Sequence, residues 1–198
     1  MTTHPTFERG GAVSKARDAL VPSAVLGALI FVAAEVMFFS GIMSALTISR
    51  AGAAPGTWPA PGVPTLASGV GDLTVAVVLA SGAALALARR PLRHDRERGR
   101  HALLASVLLG ATFVLLQVRH ATQLLSSGLT LTSSQQASFL FLLGGLHTAH
   151  AVATLAALLV AWRRLGSRTL SPGFFAATQV FWAFVVVMWP IVYARVYT

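Results

Sequence analysis

The chain has 198 residues, of which 55% are hydrophobic and 11% are charged, and its formal net charge at pH 7 is +9. This composition leaves too few polar side chains to cover a folded surface in water, so it excludes a soluble globular domain and indicates a membrane protein. The sequence contains no cysteine, which also excludes disulfides, thiolate metal sites and thiol nucleophiles.

Five apolar runs are each long enough to cross a hydrocarbon core of roughly 30 Å, which takes ~20 helical residues. None alternates as a membrane β-strand does, and helices keep their backbone hydrogen bonds within each segment. The sequence therefore predicts a single all-α membrane domain over residues 1–198, a bundle of five transmembrane helices. The spans are predicted at about 22–48, 66–88, 102–125, 136–162 and 174–193.

The first span carries a carboxylate at its midpoint, Glu35 in the stretch FVAAEVMFFSG. The span is too long for the apolar region of a signal peptide, so we interpret it as a permanent helix. Because an ionised carboxylate is expensive at this depth, we expect Glu35 to be a neutral acid that hydrogen-bonds a histidine or a lipid-bound water. Phe38 and Phe39 beside it suit contact with acyl chains, and they equally suit ordinary core packing.

Polar residues of the second and third spans are expected to join helices rather than to catalyse. Asp72 and Gln117 are the two residues that we expect to form such interhelical hydrogen bonds. A basic loop, RRPLRHDRERGR, follows the second span. Its residues Arg89, Arg90 and Arg93 are candidates for binding anionic lipid headgroups.

The basic residues also predict the orientation of the chain. If the five spans alternate, twelve of the fifteen Lys and Arg residues fall on one side of the membrane. By the positive-inside rule the amino terminus is then cytoplasmic and the carboxyl terminus lies outside. Because membrane topology and lipid contact account for the charge, we expect no nucleic-acid partner.

The fourth span contains His147 and His150 in the stretch GLHTAHAV. Residues three apart lie on one helix face, so the two cannot bind opposite faces of one iron, and His101 and His120 match their depth poorly as haem ligands. We expect neutral imidazoles that donate to carbonyls, to hydroxyls or to the acid of the first span. The Gly144–Gly145 pair, one turn earlier, predicts close approach of a neighbouring helix.

Four stretches, in order, resemble subunit III of the haem-copper respiratory oxidases. FVAAEVMFFSG resembles the family's span with a buried glutamate, and LLGATFVLLQVRH resembles the span with Gly, Phe and Gln at the positions of Gly110, Phe113 and Gln117. GLHTAHAV is similar to the family's two-histidine signature, and VFWAFVVVMW to its last span, with Trp182 and Trp189 in place. The five-span form resembles members that lack the two amino-terminal helices of longer versions.

The chain departs from the family pattern at three polar positions. Family members usually carry an acid where His120 stands, a histidine where Ala183 stands and an aspartate or similar residue where Val186 stands. The last span is therefore almost wholly apolar, which is typical of a divergent branch.

The resemblance implies an accessory subunit without catalytic residues, metal or redox centre of its own. It implies that the chain packs against catalytic subunit I, in a complex that also contains subunit II and in which the partners carry haem and copper. It further implies bound phospholipid in a cleft formed by residues such as Glu35, a role in oxygen access and sustained proton pumping, and a prokaryotic plasma membrane. The electron source of the whole complex is either cytochrome c or quinol.

Three alternatives remain open on the sequence. The same motifs fit the accessory subunit of a nitric oxide reductase. The histidines also allow a haem-binding membrane anchor, which the visible spectrum of the isolated subunit would reveal. A small transporter fits less well, because five spans without an internal repeat offer no alternating mechanism.

Overall fold

The computed structural model describes residues 22–63, 69–88 and 95–197. These residues form five helices and, within those ranges, no strand. Each helix is long and apolar enough to cross a membrane, which confirms the predicted five-helix, all-α architecture. In chain order the helices are α1 (Ser23–Ala51), α2 (Gly69–Ala88), α3 (Arg96–Ser126), α4 (Gln135–Gly166) and α5 (Pro172–Tyr197).

Local capping sets helix ends that hydropathy alone does not mark. Helix α3 begins at Arg96, ahead of the predicted apolar span, because the Asp95 side chain accepts a hydrogen bond from the backbone N–H of Arg98 at 3.2 Å. Helix α4 follows Ser134, whose hydroxyl accepts from the N–H of Ala137 at 3.0 Å. Helix α5 begins at Pro172, whose fixed φ suits the first helical position.

Helix α5 is the centre of the bundle and α1 lies at its edge. Helix α5 packs on α1, α2 and α4, whereas α1 contacts only α5 and α4 among the described helices. In its apolar window 50% of the α5 residues are buried, against 6% in α1. The outer face of α1 therefore presents large apolar side chains to lipid or to another membrane subunit.

Small residues allow the helices to pack closely, as is usual in membranes. Ser81 of α2 and Ser106 of α3 are fully buried, and the Ser81 hydroxyl donates to the Ser106 carbonyl at 2.8 Å. Gly110 of α3 leaves room for Trp182 of α5, since an added Cβ would lie 2.9 Å from the indole ring. The contact of the Trp182 side chain with α3 thus depends on Gly110.

The Gly144–Gly145 pair does not mediate such an approach, so that prediction was wrong. A Cβ added at either glycine would meet no atom within 4 Å. Both residues instead line a cavity of about 260 Å³ between α3 and α4. Small residues permit a close contact, but they also leave a gap wherever the neighbouring side chains do not fill the space.

Polar contacts tie the helices together at the two ends of the bundle. At the basic end the Arg96 guanidinium donates to the Leu165 carbonyl, and the Arg100 guanidinium lies over the Trp162 ring at 4.9 Å. At the other end the N–H of Ala60, in the loop after α1, donates to the Gln136 side chain at 2.7 Å. The first set joins the start of α3 to the end of α4, as antiparallel neighbours require.

Candidate functional site

Helices α1 and α4 bring the acid of the first span against a histidine of the fourth. Glu35 Oε2 lies 3.2 Å from His150 Nε2, so the expected contact is present and its partner is His150 rather than His147. The two side chains are 16% and 13% exposed, respectively. The Glu35–His150 pair is therefore mostly buried between α1 and α4, and a small part of each side chain stays exposed.

Backbone geometry assigns the hydrogen on the His150 ring. His150 Nδ1 lies 2.8 Å from the Leu146 carbonyl oxygen, which can only accept, so Nδ1 carries a hydrogen. In a neutral ring Nε2 is then an acceptor that faces Glu35. The contact is not a well-aligned hydrogen bond, and Glu35 Oε2 has no other hydrogen-bond partner within residues 22–63, 69–88 and 95–197. A neutral pair places the shared proton on the carboxyl group, and an ion pair places it on Nε2.

Phenylalanine rings enclose the inner side of the pair. The Phe39 ring packs against His150 with centroids 5.8 Å apart, and Phe181 and Phe184 pack on the same imidazole at 5.9 and 6.3 Å. Phe39 is fully buried, whereas Phe38 is 53% exposed. The two phenylalanines that the sequence grouped together thus point to different places: Phe39 lines the pair and Phe38 faces the surroundings of the bundle.

His147 lies in an aromatic box behind the pair. Its ring is fully buried and stacks on Trp189 with centroids 5.1 Å apart, while Phe39 and Phe113 present their edges or faces at 6.3 and 6.0 Å. Neither ring nitrogen finds a hydrogen-bond partner in the part of the chain that the structure describes. The prediction that both imidazoles donate to polar groups therefore holds for His150 and was wrong for His147, whose ring is surrounded by aromatic side chains.

The two tryptophans of α5 anchor that helix to its neighbours. Trp189 Nε1 donates to the Thr74 hydroxyl of α2 at 3.0 Å, and that hydroxyl donates to the Gly71 carbonyl at 2.7 Å. Trp182 is fully buried against Gly110. Sequence reasoning singled out both tryptophans, but the hydroxyl acceptor of Trp189 emerges only from the packing.

A second polar network, which the sequence did not predict, joins α2, α3 and α5. The Tyr193 hydroxyl donates to Asp72 Oδ1 at 3.3 Å, which confirms Asp72 as an interhelical acceptor. His120 Nε2 lies 2.9 Å from the Tyr197 hydroxyl. The signal available in the sequence was the spacing of Trp189, Tyr193 and Tyr197, which places three amphipathic aromatic residues on one face of α5.

Gln117 and the three loop arginines lie apart from the Glu35–His150 pair. Gln117 is buried, and the interhelical hydrogen bond expected of it stays a prediction. It lines the cavity between α3 and α4. Arg89, Arg90 and Arg93 lie outside the described residues, so their headgroup role stays a prediction.

The geometry of the Glu35–His150 pair allows the two side chains to share a hydrogen bond and to hold one proton. Among the described residues no three His, Asp or Glu side chains stand close enough together to form a metal site. His150 is engaged by Glu35 and by its own helix, and His147 is enclosed by aromatic rings. The site therefore offers a mostly buried carboxyl group beside an imidazole in an apolar bundle.

The chain is similar in sequence to one family of known proteins. A sequence model of the family described as cytochrome c oxidase subunit III matches residues 11–198. Cytochrome c oxidase subunit 3 of Pongo pygmaeus is 31% identical over 179 residues, which cover 86% of this chain and 67% of the relative. The proteins of the same name from Homo sapiens and Bos taurus are also 31% identical over 179 residues, with the same coverage.

Proposed function

The chain belongs to the cytochrome c oxidase subunit III family, and from this premise we propose that it is the accessory, non-redox subunit of a haem-copper terminal oxidase. As an oxidase subunit III it is a multi-pass membrane protein that associates with other oxidase subunits. In this proposal it packs against catalytic subunit I, beside subunit II, and contains no catalytic residue. The electron donor of the complex is cytochrome c or quinol.

The observation that carries this proposal is the partly exposed Glu35–His150 pair. A carboxyl group at membrane depth needs a partner, and the pair remains partly exposed on the helix that the rest of the bundle covers least. Phospholipid or a neighbouring subunit must complete its surroundings. We assign the exposed side of the pair to a lipid-binding cleft, with Phe38 on its rim.

An apolar cavity supports a further role in oxygen access. It has a volume of about 220 Å³ and lies between α2 and α5, where Gly82, Trp182 and Val186 are among its lining residues. Ala183 also lines it. Because oxygen and acyl chains are apolar, a cavity walled by such side chains suits both, and sustained turnover would depend on keeping it filled with lipid.

The cofactors of the complex are assigned to its other subunits. The sequence has no cysteine. The neighbours of the two histidines of α4 leave neither imidazole free to bind haem. Haem and copper then belong to subunit I and subunit II, and this chain binds phospholipid. Arg89, Arg90 and Arg93 are proposed to contact the lipid headgroups at the cytoplasmic surface of a prokaryotic plasma membrane.

Replacing Glu35 in the assembled oxidase tests this role. The Glu35→Gln complex should assemble, retain less phospholipid after purification and lose oxygen-consumption activity sooner during continuous turnover. Glu97→Gln is the matched control, because Glu97 is exposed at the start of α3 and should change neither property. If the Glu35→Gln complex keeps the working life and the lipid content of the wild type, Glu35 is only a structural link between α1 and α4.

A further inference from the structure

Gln117 lines a cavity between α3 and α4 and can present its amide to a ligand there. The residue is only 8% exposed. A primary amide has both donor and acceptor capacity, so it can bind either a carbonyl or a hydroxyl group. The cavity that Gln117 lines is the space in which a partner could sit.

A second hydrogen-bonding group faces the same cavity. His120 is three residues further along α3, so it lies on the same helix face with Cβ atoms about 5–6 Å apart. Its Nε2 pairs with the Tyr197 hydroxyl at 2.9 Å, and both residues line the cavity. The cavity thus has two hydrogen-bonding groups along the same face of α3.

The walls and the volume suit a flat ring. Trp189 and Phe141 line the cavity, and the Gly144–Gly145 pair leaves open space beside Phe141 on α4. A cavity of about 150 Å³ is enough to hold benzene, so a volume of about 260 Å³ accommodates a substituted single ring. Exposed rim residues such as Val118 open the cavity toward the membrane, where an apolar tail could leave.

The charge of the lining selects against phospholipid headgroups. The described residues that line the cavity include no Lys, Arg, Asp or Glu, so nothing there pairs with a phosphate. Burying an unpaired phosphate charge would be far more costly than burying a neutral carbonyl or hydroxyl. The ligand is therefore neutral.

We propose that the cavity between α3 and α4 binds the ring of a membrane quinone or quinol. One ring oxygen contacts the Gln117 amide and the other contacts the His120–Tyr197 pair, with the ring against Trp189. This inference concerns binding alone and does not rest on the proposed function, because it applies to the chain whatever electron donor the oxidase uses.

Quinone binding to the purified full chain in phospholipid nanodiscs tests the proposal. Ubiquinone-1 should quench tryptophan fluorescence in a saturable manner with one quinone bound per chain. Gln117→Leu should weaken that binding by about tenfold, the loss expected for one buried hydrogen bond. The matched control is Gln179→Leu, because Gln179 is also 8% exposed but lines the cavity between α2 and α5.

A second pair of variants tests the proposal even if Gln117→Leu misfolds. Gly144→Leu fills the cavity and should abolish saturable quenching, whereas Gly41→Leu adds the same side chain in open space on α1 and should leave it intact. Independently of any variant, an azidoquinone should label wild-type residues 117–124 or 140–148. Three results would each overturn the proposal. The first is quenching that rises linearly with quinone content in every variant, and the second is label confined to other segments. The third is a phospholipid found in the cavity by native mass spectrometry.

Discussion

At the residue scale, the Glu35–His150 pair is governed by the cost of charge at membrane depth. Separating a carboxylate and an imidazolium in an apolar medium requires additional hydrogen bonds to both ions. Glu35 Oε2 has none from the described residues, and Phe39 closes the inner side of the pair. With the hydrogen of His150 on Nδ1, the neutral arrangement places the carboxyl O–H toward Nε2.

We therefore predict that Glu35 is a protonated carboxylic acid at pH 7. Infrared difference spectra of wild type against Glu35→Gln should show a protonated-carboxyl C=O band that the variant lacks. Glu97→Gln, which changes an exposed carboxylate, should leave that band in place. A carboxylate band alone for Glu35 at neutral pH would show that the pair is ionic.

At the element scale, α5 holds the bundle together through large aromatic residues that fit against glycines. Trp182 packs over Gly110, and Tyr193 packs over Gly71, where an added Cβ would overlap the phenol ring. Both glycines therefore leave the space that an aromatic side chain of α5 occupies. Protein interiors tolerate such overpacking poorly, because the surrounding side chains have no free space to move into.

Gly110→Ala should destabilise the subunit by ~1–3 kcal/mol, the usual cost of an added methyl group in a filled core. The measurement is thermal unfolding of the purified chain in mild detergent. Gly41→Ala provides the control, since a Cβ there meets no atom within 4 Å and should leave the midpoint unchanged or raised. Equal midpoints for Gly110→Ala and wild type would mean that Trp182 moves freely.

Hydropathy and length were enough to predict the five helices, because each apolar run exceeds the length that a bilayer requires. The helix ends at Asp95 and Pro172 depend on capping rather than hydropathy, so the predicted spans began too late there. The Glu35–His150 contact was predictable from equal depth in two spans. Which glycines face a packed neighbour, and which face a gap, depends on helix rotation, and this is why Gly144 was misassigned.

At the scale of the whole molecule, the five helices alternate in direction and gather basic residues at one end. The Arg96 and Arg100 contacts join the start of α3 to the end of α4, where Arg163 and Arg164 lie. An odd number of spans places the two termini on opposite sides of a membrane. From the positive-inside rule we predict that the basic end faces the cytoplasm.

Reporter fusions after Arg98 and after Thr198 should report opposite compartments, with Arg98 cytoplasmic and Thr198 outside. The charge asymmetry provides the physical reason, since basic segments resist translocation. A control fusion after Ala60, in the loop that joins α1 and α2, should give the same signal as the fusion after Thr198. Identical signals after Arg98 and Thr198 would remove one span from the bundle.

The most direct measurement for the accessory-subunit account is purification of the tagged chain from its native membrane in mild detergent, followed by identification of its partners and its visible spectrum. The account predicts that oxidase subunits I and II copurify, that haem and copper are present in the complex, and that the chain separated from them is colourless. Either of two results would contradict it. One is a preparation without oxidase subunits, and the other is a separated chain with a Soret band that disappears in His147→Ala or His150→Ala.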